Sequence, residues 1–321
     1  MNMPSAAKSV IEGTKIVLFE CGNLKKGEVV CIVSDTKTRK VGRMFYNILI
    51  RNNFVVRHFC IRPLKAHGEE PGNEAARCMK ESNLILGLTR KSMAHTKARY
   101  VACKNKARYL SLPEYSINML KHPSLRVNFR ESGKNAMRLM ERLASGKALQ
   151  VSTKAGTDIK LNIRGRRVNF CPGYVNKDIK LGSPPDIEAN IAPVENKSNG
   201  VIVVDGSIPY PGLGKLKAPV TLTIKNGVIV SIEGTKSYVK KLKDLFRQYG
   251  KKSKVLAEFG VGLNKKAKVC GNMLIDEGSY GSFHFGFGSN FTIGGLNAVN
   301  FHLDFVLYAK ELIIDSQQYK I

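Results

Sequence analysis

Val29-Val30-Cys31-Ile32-Val33, led in by Lys26-Gly27, is an apolar run without polar alternation. Such a run suits a strand buried on both faces, as in a parallel sheet covered by helices. Downstream, residues 39–52 carry Val41, Met44, Phe45, Ile48 and Leu49 at helical spacing, and a second strand pattern follows at 54–61. The patterns keep alternating: helix at 73–82, strand at 83–88, helix at 94–105, short strand at 108–112. Upstream, residues 5–22 lay Val10, Ile11, Ile16, Val17 and Leu18 on a helix. This alternation predicts βαβ units, hence a Rossmann-like, doubly wound, largely parallel α/β domain over residues 1–124. The first turn lacks GxGxxG, so no dinucleotide is inferred.

Beyond residue 125 the pattern changes. Residues 130–145 read as one amphipathic helix with Ala136, Met137, Leu139, Met140 and Leu143 on a face and Gly146 as its stop. Short β-type stretches then recur at 149–152, 159–163, 201–204, 220–224 and 228–232, the last two joined by the hairpin signal Asn226-Gly227. A helix at 237–249 interrupts them, and strands resume at 254–260, near Phe283 and at 301–308. The expectation for 125–321 is a mainly antiparallel, barrel-like metal-binding and catalytic domain.

The 321 residues suffice for two cores, and no apolar run approaches the length of a membrane-spanning helix. The start of the chain lacks a secretory pattern, so a cytoplasmic protein with no membrane partner is expected. Seven cysteines without a CxxC pair read as reduced thiols, neither a disulfide frame nor a zinc site. The net charge of +27 attracts anions. Its cations are spread through both halves without a nucleic-acid motif, which leaves nucleic acid as the less favoured partner.

Phe301-His302-Leu303-Asp304-Phe305 is the sharpest chemical signal. Side chains two apart on a strand share a face, so His302 and Asp304 project together while the apolar residues pack behind. An imidazole beside a carboxylate suits a borderline metal, or a simple His–Asp hydrogen bond. His284, in Gly281-Ser282-Phe283-His284-Phe285-Gly286-Phe287-Gly288, sits in a small/aromatic alternation that reads as a tightly packed strand, where it is either a core residue or a ligand. Glu258 lies in the apolar Val255-Leu256-Ala257-Glu258-Phe259-Gly260-Val261-Gly262, where a buried carboxylate calls for a partner or a cation. Glu188, after Pro184-Pro185-Asp186-Ile187, reads as loop-like; Glu277 is ambiguous, and Asp276, Asp205 and Glu195 read as turn or surface acids.

Taken in order, these pieces resemble the aminopeptidase S/T family of metallopeptidases and its shorter relatives, the 2,5-dihydroxypyridine 5,6-dioxygenases. The matching segments are Glu188-Ala189-Asn190-Ile191-Ala192-Pro193 with Gly200–Ser207, then 257–264, Asp276-Glu277 with 282–288, and His302-Leu303-Asp304, preceded by Ala94-His95-Thr96-Lys97-Ala98-Arg99. The resemblance implies metal-ligand roles for Glu188, Glu258, His284, His302 and Asp304, an acid near the site at Glu277, a pair of divalent ions in the peptidases, and a homodimer. The peptidases place a tyrosine ligand seven residues after the matching histidine; here that position is Phe291, whose ring cannot coordinate. The dioxygenase branch implies a single iron(II) held by two histidines and a carboxylate, which His284, His302 and Asp304 would supply. That branch carries a histidine near the position of Glu258, and this chain does not. There His95 would correspond to a catalytic base; otherwise it is a capping or core residue.

Three functions follow. The first is a metalloaminopeptidase-like hydrolase using zinc, cobalt or manganese to activate water against small peptides, with Glu258 or Glu277 moving the proton. The second is an iron(II) dioxygenase opening a small dihydroxylated aromatic ring. The third is a non-catalytic metal- or RNA-binding homologue.

Overall fold

The structure, a computed structural model, describes residues 5–320. The chain divides into two compact units, residues 1–129 with 171–185, and residues 130–170 with 186–321. The 171–185 return to the first unit is not contained in a single boundary at 125.

In the first unit, five parallel strands lie in the order Val55–Ile61, Val29–Asp35, Leu84–Leu88, Arg108–Ser111, Leu181–Gly182. The apolar run 30–33 is fully buried, as expected of a strand packed on both faces. Helices Arg39–Arg51, Asn73–Lys80 and Lys97–Lys104 alternate with the strands. The first predicted helix is α-helical only over Ser5–Lys15 and widens to a π-helical turn at Ile16–Cys21.

At the carboxyl end of Val29–Asp35, where doubly wound sheets commonly receive ligands, the chain places its own carboxylate. Asp35 Oδ1 accepts from the amides of Lys37 and Thr38 at 2.8 and 3.2 Å, and Asp35 Oδ2 from the amide of Arg90 at 2.6 Å. These amides belong to the loops after two adjacent strands, and the carboxylate ties the loops together.

The second unit holds two seven-stranded sheets. The first runs Val228–Gly234, Val220–Lys225, Asn199–Val204, Asp158–Asn162, Ala148–Ser152, Glu311–Ile314, Gln317–Tyr319. It buries an aliphatic face that includes Leu149, Val151, Ile159, Leu161, Ile202 and Leu222. The Asn226-Gly227 hairpin forms with positive φ at both residues, 48° and 68°, as its turn type requires. Helix Phe129–Ala144 buries Ala136, Leu139 and Leu143, while Met137, expected on the apolar face, lies outside.

The second sheet runs Gly214–Lys215, Ser207–Ile208, His302–Tyr308, Ser282–Gly288, Leu256–Gly262, Glu188–Ile191, Val168–Cys171. Neither sheet closes on itself, so the barrel-like expectation gives way to two open sheets. Strand alternation sends Phe259, Phe283, Phe285, Phe287 and Phe305 to one face, all fully buried. Their rings pack at 5.3–5.5 Å, and Phe246 of helix Lys236–Tyr249 stacks on Phe305. Burial of these rings is the main apolar contribution on this side. The opposite face carries the polar residues of these three strands and of the neighbouring Glu188–Ile191. No helix among the described residues is long and apolar enough to cross a membrane.

Candidate metal centre

Four adjacent strands present five donor side chains on the face opposite the phenylalanines. Register aligns Glu258 with Gly286 and Gly286 with Asp304, and aligns Asn190 with Gly260 and Gly260 with His284. A glycine thus stands between two donors in the first row, and between Asn190 and a donor in the second. A Cβ at Gly260 would come within 2.0 Å of His284 Nε2, and one at Gly286 within 2.6 Å of His302 Nε2. The glycines of Phe-Gly-Val-Gly and Phe-Gly-Phe-Gly are the floor on which the two imidazoles lie.

His284 Nε2 lies 3.1 Å from Glu188 Oε2 and 3.6 Å from Glu258 Oε1, and His302 Nε2 lies 3.3 Å from Glu258 Oε2 and 3.2 Å from Asp304 Oδ1. Two three-donor groups result, Glu188/Glu258/His284 and Glu258/His302/Asp304, each with ligand atoms within 4.8 Å of one another. Glu258 belongs to both. Outer contacts fix the donors: His302 Nδ1 meets the Ser289 carbonyl at 2.8 Å, and Asn190 Nδ2 donates to Glu188 Oε1 at 2.7 Å. A carbonyl only accepts, so Nδ1 carries a proton and a neutral His302 turns its Nε2 lone pair toward the cluster.

The electrostatics are those of a concentrated negative site. Burial opposes ionisation of Glu258, yet His284 and His302 override it and hold the carboxyl down at about 2. Burial likewise opposes charge on the imidazoles. It is outweighed by Glu188 and Glu258 at His284, and by Asp304 and Glu258 at His302, so both are raised well above the usual histidine range. Glu277 is pushed well above the carboxylate range, first by burial and then by the charges of Asp304, Glu188, Asp186 and Glu258.

The donors fit a divalent cation. Buried carboxylates need a counter-charge. The chain holds 52 Lys and Arg, yet among the described residues none of their ion pairs reaches Glu188, Glu258 or Asp304. Glu188 Oε2 faces His284 without hydrogen-bond geometry, and Glu277 Oε1 is buried with no hydrogen-bond partner. Carboxylate and imidazole together suit zinc, cobalt, manganese or iron.

The family model NicX, 2,5-dihydroxypyridine 5,6-dioxygenase, matches residues 14–319. The chain belongs to this family. Two solved structures share the fold of this NicX-family chain. The 2,5-dihydroxypyridine dioxygenase of Pseudomonas putida KT2440 has a TM-score of 0.80 at 19% identity, covering 98% of this chain and 96% of that one. Wild-type AmpT from Thermus thermophilus has a TM-score of 0.68 at 14% identity, covering 97% and 95%. No curated protein is significantly similar in sequence.

In this NicX-family chain, Glu188, Glu258, His284, His302 and Asp304 all reach the cluster, and Glu277 lies within its electrostatic reach. His95 belongs to the first unit, exposed on the turn before helix Lys97–Lys104. The triad of His284, His302 and Asp304 is not what the side chains form: the two histidines fall in different donor groups, with Glu258 between them. Phe291 is 68% exposed and takes no place among the donors. Glu188, read as loop-like, opens a short buried strand. Asp276, read as a surface acid, is fully buried and accepts from Ser207 Oγ and from the amides of Cys270 and Gly271 at 2.6–2.7 Å.

Asn190 and Asn290 went unnoticed as supporting residues, and Glu195 was read only as a turn or surface acid. Asn190 steadies Glu188. Asn290 and Glu195 brace the loop that carries the Ser289 carbonyl: Glu195 Oε1 accepts from Asn290 Nδ2 and the Leu296 amide at 2.8 Å each, and its other oxygen pairs with Arg166. The two-residue spacing of Glu188 and Asn190 is the one available hint for the first. The partners of Asn290 and Glu195 come from distant segments and leave no local pattern.

Proposed function

We propose that this enzyme is a metal-dependent hydrolase of the aminopeptidase T type, removing N-terminal residues from small peptides. One observation carries the reading: the two oxygens of Glu258 approach different imidazoles, so a single carboxylate serves two donor groups. That arrangement suits a pair of divalent ions. When bound, such ions supply Lewis-acid polarisation of a carbonyl and water of lowered pKa.

The chain's own residues do the rest. Glu188, Asp304 and the shared Glu258 provide the negative charge that holds the ions, and Asn190 and the Ser289 carbonyl keep Glu188 and His302 aimed. Glu277, a buried carboxyl pushed upward by burial and by the neighbouring acids, is the group this reading assigns to pass a proton to the leaving amine. A peptide's free, cationic amino terminus finds an acidic surrounding here. Zinc, cobalt or manganese fits this reading. The test is release of leucine from leucyl-p-nitroanilide by protein loaded with zinc, cobalt or manganese, and its loss in Glu258→Gln. Silence with every one of the three metals would refute it.

The family match favours a second reading, an iron(II) dioxygenase opening a dihydroxypyridine-like ring. The group Glu258, His302 and Asp304 would hold the single ion, with one histidine and two carboxylates. Oxygen uptake on 2,5-dihydroxypyridine by anaerobically iron-loaded protein, without peptidase activity, would establish this reading over the first.

A further inference from the structure

The acidic centre leaves the +27 net charge unexplained, and the second unit concentrates part of it in one place. Helix Lys236–Tyr249 turns Leu242, Leu245 and Phe246 into the core. Its other face carries Lys236, Lys240, Lys243 and Arg247, at successive spacings of four, three and four residues. That spacing puts all four on one stripe. The stripe runs about 16 Å along the helix axis. It forms one wall of an open groove of about 600 Å³, whose other wall is the Ile232–Gly234 end of Val228–Gly234, the outermost strand of its sheet.

Only two acids, Glu233 and Asp244, line the groove. Among the described residues, Arg247 is the one cation of the four in an ion pair, with Asp244 at 2.8 Å, and both partners of that pair are exposed. Lys236, Lys240 and Lys243 therefore direct their charge into the groove. Lys251, Lys252 and Lys254 follow directly in the chain.

We propose that this groove binds the phosphate backbone of a single-stranded nucleic acid. Evenly spaced cations along a groove wall track a polyphosphate chain. An anionic membrane is a poorer match, because a surface-lying helix needs an apolar face turned outward and this helix spends its apolar face on Phe301 and Phe305. The proposal does not depend on the metal centre or on its chemistry.

The experiment is fluorescence anisotropy of a short fluorescein-labelled oligouridylate with the full chain, repeated with EDTA and across a salt series. Wild type is expected to bind with an affinity that falls steeply with salt and is unmoved by EDTA. The triple variant Lys240→Glu, Lys243→Glu, Arg247→Glu is expected to bind at least about 10-fold more weakly, with a log–log salt slope shallower by about 2, for about 0.7 per lost phosphate contact. The milder pair Lys240→Gln, Lys243→Gln, which alters only exposed side chains, is expected to flatten the slope by about 1. A control triple in the first unit, Arg51→Glu, Lys104→Glu, Lys121→Glu, makes the same charge change and is expected to keep most of the affinity. Absence of salt-dependent binding in wild type would overturn the proposal. So would equal losses in the groove and control variants, or competition by polyglutamate as effective as by the oligonucleotide.

Discussion

The imidazole of His284 lies across Gly260 of the neighbouring strand, so close that a single methyl group there would sit 2.0 Å from its Nε2. Gly260→Ala therefore has to displace the ring or the backbone. Overpacking of this kind costs roughly 1–3 kcal/mol, and here the displaced group is a donor. The expected outcome is a lowered thermal midpoint together with loss of cation affinity in calorimetric titration. Unchanged affinity would mean that His284 is no ligand.

The shared carboxylate separates two substitutions that look alike. Glu258→Gln removes a charged donor from both groups, whereas Glu188→Gln touches only the group containing His284. Metal content of protein reconstituted with zinc is expected to fall from about two ions per chain to below one in the first case, and to about one in the second. Equal content in the two variants would count against a bridging Glu258.

Asn290 is fully buried, donates to Glu195 and accepts from the amide of Asn297 at 2.8 Å. Its neighbour Ser289 offers the carbonyl that fixes the His302 ring. Asn290→Ala strands the Asn297 amide and one Glu195 contact, at a cost of about 2 kcal/mol. A drop in the urea midpoint, with weakened cobalt binding followed by its visible absorption, is the expected pair of results.

Acid sensitivity should arise in part in the first unit. Arg108 grips Glu28 with two bonds of 2.9 and 2.6 Å. Burial opposes the charge on Glu28, yet the Arg108 guanidinium and the Lys25 amide outweigh it and hold the carboxyl below its ordinary 4.5. A carboxyl whose folded pKa is depressed adds stability above its unfolded pKa and loses it as pH falls through the folded value. Glu28→Gln is expected to lower stability at pH 7, by about 3 kcal/mol since Arg108 is left buried without its partner. It should also flatten the loss that wild type shows below about pH 4.5. Urea unfolding at several acid pH values measures both.

The parallel sheet could be read from the sequence because its central strands Val29–Asp35 and Leu84–Leu88 carry continuous apolar runs separated by helical spacing, a pattern that depends on neighbours a few residues away. His302 and Asp304 were legible for the same reason: period two on a strand puts them together whatever the rest of the chain does. The Asn226-Gly227 turn is equally local. Glu188 was marked as a donor by the resemblance alone and passed locally for a loop residue, because its four-residue strand carries Glu and Asn where a buried strand ordinarily shows apolar residues, and only the cluster across the sheet accounts for their burial. Asp276 was misjudged because Ser207, one of its partners, lies 69 residues away. The barrel expectation failed on closure, which depends on how sheet edges meet and leaves no mark in any single strand. The splitting of the two histidines by Glu258 likewise follows from register between strands, which the sequence does not state.

The two ends of the donor cluster differ in their access to water. The His284 side chain is 1% exposed and that of His302 is 32% exposed. Ions held at the two ends would therefore leave at different rates, the one beside His302 within reach of a chelator and the one beside His284 only after local opening of the sheet. A brief EDTA treatment would yield a half-stripped protein with a single retained ion, and exchange from the outer position would set how quickly the enzyme adapts to the metals around it.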